Sequence, residues 1–463
     1  MKMASIIRFL GTYRRVIVLL LIFAYCVFLL LADPGEFGAS LNLIFFAILL
    51  IFIASQFFWI GRILDLGERF IPGKPRRGWL VVIASLIYMF IFIHSYPSIE
   101  STNDHIFRTA DYRLHSILIE GAFWWWFVGS LLAFALVIAF GMVDHLICAA
   151  AWVYGKAREG MRGNRGAPKP SAIVFDPPSP ARRRFLEQTA VLVSATPFVA
   201  AGYGLLCGRL NVEVVRQRIR LAHLPKAFEG FCIAQLSDMH IGPFTPADYI
   251  RRCVTITNAL KPELIALTGD YISWDPEAEG QVVHALAGLR APYGVFGCLG
   301  NHEEESEIEA SITRLFAMQS IRILRQERAP IRLGGEALNL IGIDCPRGRT
   351  RALYQRDISR RLQGLVMPET VNILLSHYPD VFDRAAELGV DLTLAGHTHG
   401  GQLSLDFIYR GLNVSHLLYR YDSGWYEKRG AQLYLNRGIG TTGFPIRVGA
   451  RPEITLFELT RMV

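Results

Sequence analysis

The chain has 463 residues, 52% hydrophobic, 12% aromatic and 19% charged, with a mean hydropathy of +0.30. That is too apolar and too sparsely charged for a wholly soluble enzyme, and the length allows about two or three domains. The formal charge of +8 is uneven: residues 1–208 carry 19 Lys and Arg against 12 Asp and Glu, and the other 255 carry 29 against 28, which excludes a nucleic-acid footprint there.

Five apolar stretches lie near residues 16–32, 41–61, 79–95, 122–143 and 188–207. Each is close to the roughly 20 residues that a helix needs to span the hydrocarbon core. The last contains Pro197 and is the weakest. Seventeen basic residues flank the stretches on one side: Lys2 to Arg15, Arg62 to Arg77, and Lys156 to Arg184. The opposite loops hold only Arg108 and Arg113. The positive-inside rule then predicts a cytoplasmic N-terminus, with everything after Cys207 outside the cytoplasm. The expected layout is a four-helix transmembrane region over 1–152, a basic cytoplasmic linker over 153–187, a fifth span over 188–208 and a separate domain over 209–463. This places the chain in the inner, cytoplasmic membrane as a multi-pass protein, with that domain on the periplasmic side.

Two features of this region admit two readings each. Trp124, Trp125 and Trp126 in "AFWWWF" suit a membrane-interface belt or a packed aromatic cluster between helices. Arg182, Arg183, Phe185 and Leu186 resemble a twin-arginine export signal, which would make the export machinery a partner; the alternative is ordinary basic anchoring. The seven cysteines contain no CxxC pair, which disfavours a zinc finger or a thioredoxin-like site. Buried free thiols are expected, with a disulfide among the last four left open.

The region from 209 onward reads differently. "FCIAQLSDMHIG" (231–242), "LIALTGDYI" (264–272), "YGVFGCLGNHEE" (293–304), "VNILLSHYP" (371–379) and "DLTLAGHTHGG" (391–401) are short apolar runs. Each breaks at an Asp, Asn or His. Runs of this length suit strands buried on both faces. Helical stretches such as 246–260 and 304–319 separate them, so a layered α/β domain with largely parallel strands is expected. Ligands bind such sheets at the carboxyl ends of the strands. Carboxylate, amide and imidazole donors gathered there suit Mn, Fe or Zn. A metal pair about 3.5–4 Å apart can clamp phosphoryl oxygens during in-line attack.

In that order, "DMH", "GD", "GNHE", a lone "H" and "GHTH" resemble the calcineurin-like metallophosphoesterase superfamily over about residues 229–460. The tail "LYLNRGIGTTGFPIRVGARPEITLFEL" is similar to its bacterial membrane-associated branch. The resemblance implies an α/β metallophosphoesterase sandwich with its metal site at the strand C-terminal ends, following an all-α membrane region. It implies two divalent metal ions: Asp238, His240 and His399 hold the first, Asp270 bridges, and Asn301, His377 and His397 hold the second. His302 would protonate the leaving oxygen or stabilise charge. The activity implied is hydrolysis of phosphate mono- or diesters by a hydroxide held between the metals.

Other residues carry paired expectations. Glu303 either orients His302 or lies at a solvated helix start. Arg437, Arg447 and Arg451 either touch substrate phosphate or form structural pairs. The aromatic-rich segment 406–426 is either a lid meeting lipid or a packed cap over the sheet. The substrate would be a phosphoester, with lipid-linked esters natural for an anchored enzyme, and no nucleic acid is expected as a stable partner. Two non-enzymatic readings compete: a membrane binding or sensing module with a metal-binding phosphoesterase fold, and a transporter with an accessory domain.

Overall fold

The computed structural model describes residues 47–48, 51–56, 58–62, 116–161, 180–346, 351–406, 413–417 and 419–462. The expected spans 16–32 and 79–95, most of 41–50, the clusters at Lys2–Arg15 and Arg69–Arg77, and the linker core 162–179 lie outside them. The described residues fall into two compact units. One holds 125–201 with the helical residues 47–62, and the other holds 116–124 and 202–462.

Helix α1 (Gly121–Met161), which belongs to the first unit from Trp125 onward, continues well past the apolar stretch that ends near residue 143. Its apolar part, with a π turn before it, runs from Ser116 to Val143 at mean hydropathy 2.3. Among the described residues this is the one helix long and apolar enough to cross a membrane. Helix α2 (Pro180–Leu206) keeps Pro197 inside it. The tryptophans adopt the packed arrangement. The Trp125 Nε1–H donates to the Phe198 carbonyl and the Trp126 Nε1–H to Gln56 Oε1, both at 2.8 Å. Both indoles lie against the Phe198 ring, and Gly129 makes the room: a Cβ there would fall 2.5 Å from that ring.

The second unit is a sandwich of two mixed six-stranded sheets. Its strands are β1 (Glu213–Leu221), β2 (Cys232–Leu236), β3 (Leu264–Thr268), β4 (Val295–Cys298), β5 (Ile321–Ile323), β6 (Glu327–Leu333), β7 (Glu336–Gly342), β8 (Asn372–Leu375), β9 (Leu392–Ala395), β10 (Gly424–Lys428), β11 (Ala431–Leu435) and β12 (Glu453–Arg461). The first sheet runs β1-β12-β2-β3-β4-β5 and the second β10-β11-β9-β8-β7-β6. Parallel pairing holds through β2–β5 and through β7, β8, β9 and β11. Three pairs are antiparallel: β12 with β2, β6 with β7, and β10 with β11.

The five apolar runs become β2, β3, β4, β8 and β9, with almost every residue buried. That follows from their position. One face meets the opposite sheet through Ile233, Leu264, Leu340, Ile373, Leu392 and Phe457. The other face is covered by helices: α3 (Ala247–Ala259), α4 (Glu279–Leu286) and α6 (Glu309–Met318) on the first sheet, and α7 (Arg351–Leu362) and α8 (Phe382–Glu387) on the second. The expected single helix over 304–319 is instead two, α5 (Asn301–Glu305) and α6, parted where Glu307 takes φ +56°. A β-carbon residue in that left-handed conformation interrupts the helical ladder.

Candidate metal centre

Each strand end delivers one or two polar side chains. Asp238 follows β2, Asp270 follows β3, Asn301 opens α5 after β4, His377 follows β8, and His397 and His399 follow β9. Asp238, His240, Asp270, His397 and His399 all have positive φ, between +42° and +81°. Such backbone is uncommon outside glycine and clusters where a site over-determines it. Glycines leave the space. A Cβ on Gly300 would lie 2.0 Å from Asp270 Oδ1, and one on Gly396 would lie 2.3 Å from Asp238 Oδ2.

The side chains converge on Asp270. His377 Nε2 lies 3.1 Å, His240 Nε2 3.4 Å and His302 Nε2 3.8 Å from its Oδ2. On one side, His240 Nε2 and His399 Nε2 are 3.1 Å apart, with Asp238 Oδ1 3.3 Å from the latter. On the other, His397 Nδ1 is 3.2 Å from His377 Nε2. Asp238 with His240 and His399, and Asp270 with His377 and His397, each form a group able to hold a metal ion. Two buried oxygens have no hydrogen-bond partner: Asp238 Oδ2 in the cluster and Asn301 Oδ1 at the start of α5. A buried polar atom without a partner costs about 1–3 kcal/mol, which a metal ion would relieve.

The second ring nitrogens set the tautomers. The Nδ1–H of His240 donates to the Ile272 carbonyl at 3.2 Å, and that of His377 to the Thr268 carbonyl at 2.8 Å. His240 is thereby left with an Nε2 lone pair facing the centre, as in histidines that ligate metals, while the Nε2 of His377 faces Asp270 Oδ2 at 3.1 Å. Burial holds His240 and His399 well below the usual histidine range, and His397 down to about 3, so these three stay neutral. Burial pushes Asp238 up to about 6, and the charge of Asp270 adds to the effect. For Asp270 and His377 the neighbours win over burial: the imidazoles hold Asp270 well below the carboxylate range, and Asp270 lifts His377 to about 9. Oxygen and imidazole donors packed this closely fit divalent metal ions.

His302 is buried beside Asp270, and its Nδ1–H donates to the Ser273 carbonyl. Glu303 takes neither of its expected roles. Its carboxylate accepts from the amides of Asp270 (3.0 Å), Tyr271 (2.7 Å), Ile272 (3.2 Å) and Gly300 (2.8 Å). Burial, then the charge of Asp270, pushes its carboxyl up to about 7. The reach back to Gly300 is what a glutamate at the third position of a helix does, so the motif "GNHE" held the signal.

The arginines are spent on protein acceptors. Arg437 donates to Glu453 at 2.5 Å and to Glu213 at 2.7 Å, and Arg451 pairs with Glu213 at 3.0 Å. Arg447 is fully buried and donates to the carbonyls of Gly440, Ala450 and Arg437, with one nitrogen 2.9 Å from His399 Nδ1. The expectation that Arg437 and Arg447 contact phosphate gives way to structural pairing, because their donors point inward. Residues 407–412 and 418 lie outside the described residues. Of the rest of 406–426, Asn413, Ser415 and Asp422 form a buried knot under the His399 turn, as a packed cap would. The described cysteines are free thiols, with Cys253, Cys298 and Cys345 buried. Sequence reasoning did not single out Trp274, which lies against His302, or Tyr378 and Tyr419, which flank His397. Only their nearness in sequence to Asp270, His377 and the aromatic segment marked them.

An α/β sandwich with buried Asp and His at its strand ends is the frame of a metal-dependent phosphoesterase, a hydrolase. The chain belongs to the calcineurin-like phosphoesterase family, whose profile matches residues 232–401. It is 30% identical over 287 residues to the uncharacterized metallophosphoesterase YkuE of Bacillus subtilis (strain 168), covering 60% of this chain and 97% of that one. It is 30% identical over 288 residues to the phosphodiesterase YaeI of Escherichia coli (strain K12), covering 60% of this chain and 99% of the relative. A Danio rerio transmembrane protein with a metallophosphoesterase domain is 27% identical over 279 residues, 58% of this chain and 61% of the relative.

Proposed function

We propose that this protein is a membrane-anchored phosphohydrolase that cleaves phosphate mono- or diesters at two divalent metal ions. Asp238, His240 and His399 would hold one ion, Asn301, His377 and His397 the other, and Asp270 would serve both groups. The observation that carries this reading is the position of Asp270 between the two donor groups, together with the unpartnered, buried Asp238 Oδ2 in one of them. When bound, the metals supply Lewis-acid charge for the phosphoryl oxygens. The chain's own residues do the rest. The carbonyl of Ser273 fixes the His302 ring, so that Nε2 faces the centre and gives its proton to the leaving oxygen. A relative named as a phosphodiesterase favours diesters.

The membrane part of the proposal rests on the apolar helix Ser116–Val143, the one-sided basic residues and the relative named as transmembrane. It retains the multi-pass layout in the inner membrane, the domain boundaries at 152, 187 and 208, a periplasmic catalytic domain and lipid-linked esters as candidate substrates. Export through the twin-arginine machinery belongs to the same reading.

The test uses detergent-purified protein stripped of metal and reloaded with Mn, Fe, Zn or Mg singly. Hydrolysis of a monoester, a diester and a lipid-linked pyrophosphate is followed for the native chain and His302→Ala. Two metals per chain and a loss of two or more orders of magnitude in kcat in the variant, with metal content unchanged, are expected. Stoichiometric metal without turnover of any ester would favour the alternative of a non-catalytic binding or sensing module.

A further inference from the structure

Among the described residues, Trp274 is a large apolar side chain left exposed beside the metal centre. Its side chain is 49% exposed. Its ring centroid lies 4.1 Å from that of His302, tilted by 51°. The residues on both sides of Trp274 are tied down by hydrogen bonds. Ser273, before it, accepts the Nδ1–H of His302 and donates its own hydroxyl to the His240 carbonyl at 3.1 Å. Asp275, after it, caps the turn Pro276–Ala278 by accepting from the Glu277 amide at 3.0 Å. A half-exposed indole next to a buried polar cluster is the informative exception among surface residues. Tyr378 and Tyr419 stand edge-on to His397, at ring distances of 4.5 and 5.9 Å.

We propose that Trp274 is the floor of a leaving-group subsite that takes a planar apolar group, such as an aromatic alcohol. The proposal rests on the phosphoester reading above and names the substrate class for the same site. The geometry ties the indole to the leaving group specifically. The proton donor must reach the leaving oxygen, so the leaving group lies on the His302 side. There the P–O bond to the leaving group breaks as a water oxygen bonds to phosphorus. The leaving oxygen takes the proton of His302, and the water supplies its replacement. The group that departs then meets the free face of Trp274, where a flat ring stacks in the offset geometry that aromatic pairs prefer.

The experiment compares dibenzyl, diethyl and dihexyl phosphate with the metal-loaded full chain. All three have alkoxide leaving groups, and they differ in ring, size and chain. Alcohol release gives kcat and KM for the native protein, Trp274→Ala and Trp274→Phe. Expected is a drop of about tenfold in kcat/KM for dibenzyl phosphate in Trp274→Ala, carried mainly by KM. Diethyl phosphate should change less than twofold, and Trp274→Phe should recover most of the loss. Equal losses on all three esters would overturn the subsite and leave Trp274 as a buttress of His302. No change on any ester would overturn it as well. The largest loss on dihexyl phosphate would overturn the planar preference in favour of an alkyl or lipid chain. If the metal-loaded native protein cleaves none of the three but cleaves a phosphomonoester, the phosphoester reading stands and the subsite is overturned; if it cleaves no monoester either, the phosphoester reading itself fails. Cleavage of diethyl phosphate alone keeps that reading and overturns the subsite.

Discussion

The carboxylate of Glu303 accepts the backbone N–H of Asp270 at 3.0 Å, and so ties the first turn after β4 to the residue at the middle of the donor cluster. The same carboxylate holds the next two amides and that of Gly300. One buried side chain therefore sets the path of the loop that carries Asp270.

Glu303→Gln keeps the volume and removes one acceptor, turning an N–H toward the amides of the loop. A loss of about 1–3 kcal/mol is expected. Urea unfolding of the metal-free chain measures it, and the metal bound per chain should fall in parallel. Stability and metal content both equal to the native values would contradict the clamp.

Gly300 has φ −99°, a conformation open to any residue, so space alone demands glycine there. A Cβ would sit 2.0 Å from Asp270 Oδ1 and 2.4 Å from its backbone nitrogen. Gly300→Ala should therefore keep its secondary structure while losing most of its bound metal. Circular dichroism and elemental analysis of the same sample separate the two effects, and native metal content would refute the steric argument.

Arg447 lies under His399 with no carboxylate partner among its hydrogen bonds, donating to backbone carbonyls of the tail. Burial pushes its guanidinium down to about 10, so it stays charged at neutral pH. Arg447→Met strips several buried carbonyls of their donors and should cost about 3 kcal/mol or more. Arg447→Lys keeps the charge but not the planar fork, and should recover only part of that. A change in unfolding free energy below about 0.5 kcal/mol, the range of ordinary surface substitutions, would show that the tail holds itself.

Burial alone would raise the carboxyl of Asp383, but Lys428, Tyr421 and Arg420 together hold it below the usual range. The sign follows from linkage. A depressed carboxyl lends stability that is present above the unfolded pKa, about 4, and is lost as pH falls through the folded value. Thermal midpoints of the native chain and Asp383→Asn should differ at pH 6–7 and converge toward pH 3. A constant gap across that range would rule out the electrostatic origin.

Much of the catalytic domain was legible in the sequence because its information is local. A strand buried on both faces must be a short apolar run, and the place where a polar residue breaks the run is the place where the chain leaves the sheet. Asp238, Asp270, Asn301, His377 and His397 were singled out that way, and the Asp and His side chains among them lie in adjoining donor groups. The membrane region was legible only as length and hydropathy, and the described residues include one helix of that kind.

What the tertiary structure alone decided is where side chains turn and whom they meet. Glu303 reads as a solvated acid in "NHEEES", yet it faces four backbone amides. Arg437 and Arg447 admit phosphate contact or structural pairing in a glycine-rich tail, and only the fold shows their donors taken from within. Trp124–Trp126 suit an interface belt or a packed cluster, and only the fold shows Trp125 and Trp126 packed on Phe198. Each outcome depends on a partner far along the chain: His397 meets Asp238 across 159 residues, and Arg437 meets Glu213 across 224. Strand ends are written residue by residue, but the order in which twelve strands pair sets which of those ends share a centre.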